Sequence, residues 1–88
     1  MSYTLQLSRE AIRVLDRVDR LTERRLRDRL HVLAKTPEEP RFSKRLVDAG
    51  DIRSARVEDW RILFVVDAVR AGVLGLAIRP RDQAYRKL

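Results

Sequence analysis

The sequence contains no cysteine, which excludes disulfide bonds, thiolate nucleophiles and cysteine-ligated zinc sites. His31 is the one histidine, which argues against a histidine-based metal centre. No run of about 20 apolar residues is present, and the N-terminal MSYTLQLSRE lacks the basic segment and apolar core of a signal peptide. We therefore expect a cytoplasmic protein without a membrane span, a metal or a cofactor.

Acidic residues are outnumbered by basic ones. The chain has 20 Lys and Arg against 13 Asp and Glu, a net charge of +7 and a pI near 11.0. Lysine occurs only at positions 35, 44 and 87, so most of the positive charge is arginine, whose planar fork of donors matches phosphate. This balance indicates a polyanionic partner, either nucleic acid or an acidic protein segment. A genome rich in G and C explains the arginine bias equally well.

The first half of the chain has the pattern of one strand and two helices. At 88 residues we expect a single domain over residues 1–88. The alternation in SYTLQL predicts a short strand, and Ser8 is a suitable N-cap for a helix over roughly residues 9–19. Thr22 is suitable as the N-cap of a second helix over roughly residues 22–35.

The second half changes to a period of two residues. The prolines of TPEEP end the second helix, and a long loop leads to the segments IRSARV, WRILFVV and VLGLAI. These segments predict three strands in a meander. The fold class is therefore α+β, in which two antiparallel helices pack on one face of a four-stranded, mainly antiparallel sheet in the order β-α-α-β-β-β.

Strand alternation predicts which side chains face the helices. The side of each strand with the larger apolar residues is expected to face the core: Ala55, Val57, Trp60, Ile62, Phe64, Val66, Leu74, Leu76 and Ile78. The opposite side then carries Arg56, Arg61 and Arg79, and also Arg81 if the extended chain continues past Pro80. Such a cluster of like charges opposes folding and is explained more easily by an anionic ligand. The alternative is that each arginine covers apolar sheet surface or pairs with a nearby carboxylate.

Several of these segments together resemble the RelE/ParE toxin superfamily of bacterial and archaeal toxin–antitoxin systems. They are a first strand ending in LS, two helices, the loop segment SKRL, the strands of RVEDWRILFVVD and the closing RPRDQAYR. The most specific part is a pattern of basic, apolar, acidic and aromatic residues: Arg56, Val57, Asp59, Trp60 and Arg61, followed later by Arg81 and Tyr85.

The resemblance implies a ribosome-dependent mRNA endonuclease that inhibits translation and is held inactive by an acidic, RelB-like antitoxin. The ribosome and mRNA are then its targets, and the catalytic residues are Arg56, Arg61, Arg81 and Tyr85. RNA-binding roles are expected for Arg53, Arg79, Lys44 and Arg45, and no metal is required. The 2′-hydroxyl of RNA supplies the nucleophile, and arginines stabilise the charged transition state. Tyr85 is the acid–base candidate because guanidinium groups stay protonated, although it is also suitable as a packing anchor for the tail.

Two other functions are compatible with the same resemblance. In ParE-like members the target is DNA gyrase rather than mRNA. The third hypothesis is a family member that acts mainly as a subunit of the toxin–antitoxin complex. It is suggested by two departures from the family pattern. Ser54 stands where the family often has a second basic residue, and Arg79 and Pro80 replace the glycine and the basic residue that commonly precede the late arginine.

Overall fold

The computed structural model describes residues 3–47 and 49–83. Its elements are β1 (Thr4–Leu7), α1 (Arg9–Arg17), α2 (Arg20–Lys35), β2 (Lys44–Arg45), β3 (Arg53–Val57), β4 (Trp60–Asp67), β5 (Gly72–Pro80) and a 3-10 turn (Arg81–Gln83). The strands form one sheet in the order β1-β5-β4-β3-β2. The predicted α+β class and element order are confirmed, but the sheet has five strands instead of four because Lys44–Arg45 pairs antiparallel with β3.

Polar side chains at both helix starts determine where the helices begin. The Ala11 N–H donates to Ser8 Oγ at 3.1 Å, as predicted for an N-cap. The second cap is Asp19 instead of the predicted Thr22: the Thr22 N–H donates to Asp19 Oδ1 at 2.8 Å, so α2 begins earlier than expected. Hydrogen bonding by Thr22, from its side chain and its backbone N–H, lowers the pKa of the Asp19 carboxyl.

Both helices lie on one face of the sheet and bury its apolar side chains. The fully buried large side chains of this core come from α1, α2, β4 and β5: Leu15, Leu26, Leu30, Leu33, Ile62, Phe64, Val73 and Ile78. Leu63 is also fully buried, but it pairs with Ser54 and Ala77 on the opposite side of the sheet. The Leu26, Leu30 and Leu33 stripe of α2 belongs to the same cluster as Ala55 and Val57 of β3. Neither helix, within the described residues, is long and apolar enough to cross a membrane.

A β-bulge corrects the predicted facing of β5. Leu63 pairs with Ala77, but the next residue, Phe64, pairs with Gly75, so β5 contains one extra residue at this point. The extra residue reverses the alternation before it. Val73 is therefore in the core, whereas Leu74, predicted to face the helices, pairs with Val65 and is 37% exposed. Ile78, which follows the bulge, faces the core as predicted.

The two glycines of β5 offer a matched test of this packing. A Cβ atom at Gly75 would lie 2.7 Å from Cδ2 of Leu7, whereas the nearest heavy atom to a Cβ at Gly72 is 3.8 Å away. Gly75→Ala should therefore displace Leu7 and unfold more easily than Gly72→Ala, by roughly 1 kcal/mol or about 4–8 °C in Tm. Thermal unfolding of both variants checks this, and equal Tm values would contradict the close approach of β1 and β5.

Candidate nucleic-acid interface

Three arginines lie side by side on the sheet face opposite the helices. Arg56 of β3 pairs with Arg61 of β4, and Arg61 pairs in turn with Arg79 of β5. Directly paired residues on neighbouring antiparallel strands point to the same face. The preceding pair on β3 and β4, Ala55 and Ile62, belongs to the core, so the arginines point away from it. We call Arg56, Arg61 and Arg79 the arginine row.

Like charges that face each other across a sheet are destabilising, since their Cβ atoms are only about 5 Å apart. The two ends of the row have acceptors nearby. Arg79 donates to both carboxylate oxygens of Glu10 on α1, from Nε at 3.1 Å and from Nη2 at 3.3 Å. Arg56 Nε donates to the backbone oxygen of Glu58 at 3.2 Å. The Glu10 carboxylate offsets the charge of Arg79, and the Glu58 backbone oxygen satisfies one donor of Arg56.

Glu58 also connects the row to α2. It lies in the turn between β3 and β4 with a φ of 54°, a left-handed conformation that costs energy for a residue other than glycine. Its carboxylate forms an ion pair with Arg25 of α2. The turn beside Arg56 is therefore tied to a helix as well as to the sheet.

A cleft beside the row adds further positive charge. It has a volume of about 270 Å³ and lies between α2, the loop before β2, and strands β2 to β4. The guanidinium carbons of Arg29 and Arg41 lie 5.2 and 5.4 Å from the centre of the Phe42 ring, within cation–π range. The residues that line the cleft are Arg29, Pro40, Arg41, Phe42, Ser43, Lys44, Ser54, Arg56 and Arg61.

The predicted RNA-binding residues Lys44, Arg45 and Arg53 divide between two faces. Lys44 pairs with Ser54 and shares the face of the row, where its side chain lines the cleft. Arg45 pairs with Arg53, and both belong to the opposite alternation. Arg45 Nη2 donates to Asp51 Oδ1 at 2.6 Å, so this side chain closes the loop between β2 and β3.

Arg53 contacts the loop before β2. Its Nε donates to Ser43 Oγ at 3.0 Å and its Nη2 donates to the Ser43 backbone oxygen at 3.3 Å. Ser43, which is only 6% exposed, also donates its hydroxyl to the Pro37 backbone oxygen at 2.8 Å. Arg53 therefore holds this loop against β3, and its assignment as an RNA-binding residue stays a prediction.

Of the two catalytic candidates beyond β5, one lies in the described part of the chain. Arg81 is exposed and begins the 3-10 turn. Its N–H donates to the Asp59 backbone oxygen at 2.7 Å, one step past the pairing of Trp60 with Pro80. Arg81 therefore lies at the same end of the sheet as the arginine row. Tyr85 lies outside the described residues.

Three residues near the row were not predicted from the sequence as part of the site: Glu10, Arg29 and Arg41. Arg29 could have been found, because on a helix it is adjacent to the buried Leu26 and Leu33, three residues before it and four after. Nothing local indicates the pairing of Glu10 with Arg79, which lies 69 residues away.

Comparison with known proteins shows the family of this chain. Residues 5–85 match the model of the ParE toxin of type II toxin–antitoxin systems. The chain belongs to this toxin family. The match confirms the predicted membership of the RelE/ParE superfamily and extends over nearly the whole chain. A comparison of the sequence with curated proteins finds no match.

Solved structures of RelE toxins are similar to this chain in fold. A chain of the archaeal RelE–RelB complex from Pyrococcus horikoshii OT3 has 23% sequence identity and a TM-score of 0.79, over 96% of this chain and 100% of that one. A chain of the RelBE2 toxin–antitoxin complex from Mycobacterium tuberculosis has 23% identity and a TM-score of 0.81, over 92% and 100%. The isolated RelE toxin of E. coli has 15% identity and a TM-score of 0.77, over 98% and 88%. The RelE-like fold is thereby established.

The contrast between Arg53 and Arg45 gives a test of the site's construction. Arg53→Ala removes two hydrogen bonds to Ser43 and should lower the free energy of unfolding by about 1–2 kcal/mol. Arg45→Ala removes an ion pair with Asp51 and a hydrogen bond to the Gly50 backbone oxygen, but both are exposed, and it should change the free energy of unfolding by less than about 0.5 kcal/mol. Urea unfolding of the two variants measures the difference. Equal losses would show that Arg53 does not hold the loop before β2.

Proposed function

We propose that this toxin binds RNA on the helix-free sheet face and acts as a ribosome-dependent mRNA endonuclease. The observation that carries the proposal is the arginine row, where Arg56, Arg61 and Arg79 are direct neighbours on three strands. A row of like charges is unfavourable for the fold alone and favourable for a polyphosphate ligand. The cleft lined by Lys44, Arg41 and other basic residues continues the positive surface beyond the row.

The chemistry of RNA cleavage suits a site of this composition. The 2′-hydroxyl loses its proton and attacks the adjacent phosphorus, and negative charge builds up on the phosphoryl oxygens. The bond to the 5′-oxygen of the next nucleotide breaks, so that this oxygen takes up a proton and leaves as a hydroxyl while a 2′,3′-cyclic phosphate remains. Guanidinium groups hold these oxygens by two parallel hydrogen bonds and stabilise the developing charge. Arg61 at the centre of the row, with Arg56 and Arg81 at the same end of the sheet, would fulfil this role.

Proton transfer needs a different kind of group. An arginine stays protonated at neutral pH and cannot accept the proton of the 2′-hydroxyl. We assign this step to Tyr85, whose phenol would need a lowered pKa in the field of the arginines. The alternative role of Tyr85, a packing anchor for the tail, predicts that the hydroxyl is dispensable.

An acidic antitoxin of the RelB type is the proposed partner. The chain has a net charge of +7, so an acidic segment would be attracted electrostatically. Large apolar side chains on the helices supply further contact area, since Ile12 is 44% and Leu21 55% exposed. The similar chains from Pyrococcus horikoshii and Mycobacterium tuberculosis come from complexes of a toxin with its antitoxin, which supports the same arrangement here.

Inhibition of DNA gyrase is the second candidate function. The observation that favours it is the match of residues 5–85 to the ParE family, rather than to a family defined by RNA cleavage. The ion pair of Arg79 with Glu10 is also compatible with a row that serves a protein contact. This alternative predicts DNA damage without mRNA cleavage.

Induction of the toxin in a bacterial host, followed by mapping of mRNA ends, tests the proposal. We expect new ends in register with the reading frame for the wild type, because cleavage occurs at the ribosome. Arg61→Ala and Arg81→Ala should reduce cleavage by about 10²-fold, since each removes charge stabilisation in the transition state. Tyr85→Phe deletes the hydroxyl and should also abolish most cleavage.

The matched control is Arg24→Ala, which removes the same charge from an exposed position on α2 and should keep full toxicity. Full cleavage in Tyr85→Phe would assign the acid–base step to another group. Full toxicity in both arginine variants, or DNA damage without new mRNA ends, would overturn the nuclease and favour gyrase inhibition. A wild type without any growth defect would favour the third alternative, a subunit of the complex.

A further inference from the structure

Glu10 is fixed next to the arginine row by the start of α1. The Ser8 hydroxyl donates to the Leu76 backbone oxygen at 2.6 Å, and the Ser8 N–H donates to the Gly75 backbone oxygen at 2.8 Å. The first turn of α1 is therefore attached to the middle of β5. Glu10 lies in that turn, and its carboxylate reaches Arg79 at the end of the row.

We propose that Glu10 is a competitor for RNA built into the site. Its carboxylate holds the Arg79 guanidinium by two donors that a phosphate group would use, so RNA gains this third arginine only by displacing Glu10. The inference rests on the proposed RNA-binding function of the row. It makes Glu10 a residue that limits affinity, although Glu10 itself does not contact RNA.

The geometry of the pair supports competition. Nε and Nη2 of Arg79 each donate to a different oxygen of Glu10, at 3.1 and 3.3 Å. This is the bidentate arrangement in which a guanidinium also binds two phosphate oxygens. A carboxylate and a phosphate cannot occupy the same pair of donors at once, so one has to leave before the other binds.

The difference in exposure indicates which partner moves. The Arg79 side chain is 20% exposed, whereas the Glu10 side chain is 50% exposed. The carboxylate can therefore rotate into water with little loss of packing, while the guanidinium stays beside Arg61 on the sheet. Exposed side chains change rotamer within nanoseconds, so the exchange does not require any movement of the backbone.

Competition has two measurable consequences for RNA binding. Removing the charge of Glu10 should tighten binding by about two- to fivefold, the range that corresponds to a partly exposed ion pair. It should also add one phosphate contact, because the Nε and Nη2 donors of Arg79 that Glu10 occupies become available. Each phosphate contact with single-stranded RNA steepens the slope of log affinity against log salt by about 0.7.

The test compares Glu10→Gln with the wild type in binding to a short single-stranded RNA with 2′-O-methyl riboses, which prevents cleavage. Titrations at several salt concentrations should show tighter binding and the steeper slope for Glu10→Gln. In an Arg79→Gln background, Glu10→Gln should not tighten binding, because Glu10 then has no guanidinium group to occupy. A purely structural role of Glu10 would lower the Tm without increasing the salt slope.

Glu23→Gln is the matched control. Glu23 pairs with Arg27 on α2 at 2.9 Å, so its substitution makes the same change in net charge and removes a similar ion pair away from the row. An equal gain in Glu23→Gln would overturn the inference, since net charge alone would then explain it.

Arg61→Ala separates the inference from the proposed function. If Arg61→Ala weakens binding but Glu10→Gln leaves affinity and slope unchanged, the row binds RNA and the role of Glu10 is refuted. If the wild type binds no RNA, or if Arg61→Ala binds as tightly as the wild type, the proposed site fails and the inference fails with it.

Discussion

Repulsion among three arginines on neighbouring strands is the constraint on which the arrangement of the site depends. The pairing of Arg56 with Arg61 and of Arg61 with Arg79 brings three positive charges together in one row. Such a row is unfavourable unless nearby acceptors offset the repulsion. The fold provides acceptors at both ends, from Glu58 in the turn between β3 and β4 and from Glu10 on α1. Positive charge is thus kept on the face opposite the helices at a reduced cost in stability.

The helices that build the core also position these acceptors. α1 buries Ala11, Val14 and Leu15 against the sheet and carries Glu10 at its start. α2 contributes the Leu26, Leu30 and Leu33 stripe to the core and Arg25 to the ion pair with Glu58. The core and the charged face are therefore coupled through side chains of the same two helices. A change that shifts either helix is expected to alter the row, even though the helices lie on the other side of the sheet.

The arginine row could be predicted from strand alternation alone. The bulge in β5 lies before Ala77, so the pairing of Arg61 with Arg79 is not affected by it. The same bulge made the facing of Leu74 wrong. The strand at Lys44 and Arg45 was missed because two residues show no periodicity. Asp19 and Thr22 are both good cap residues, so composition did not distinguish them. The pair of Glu10 and Arg79 depends on contact between distant segments and has no local signature.

The central claim is that the helix-free face, rather than the basic surface of α2, binds RNA. Amide chemical shifts measured during titration with a non-cleavable single-stranded RNA test it most directly. We predict that the largest shifts occur around Ser54–Val57, Arg61–Leu63 and Ala77–Arg81 and decrease as salt is raised. Largest shifts along the outer side of α2, at Arg20, Arg24 and Arg27, with the arginine row unchanged, would contradict it.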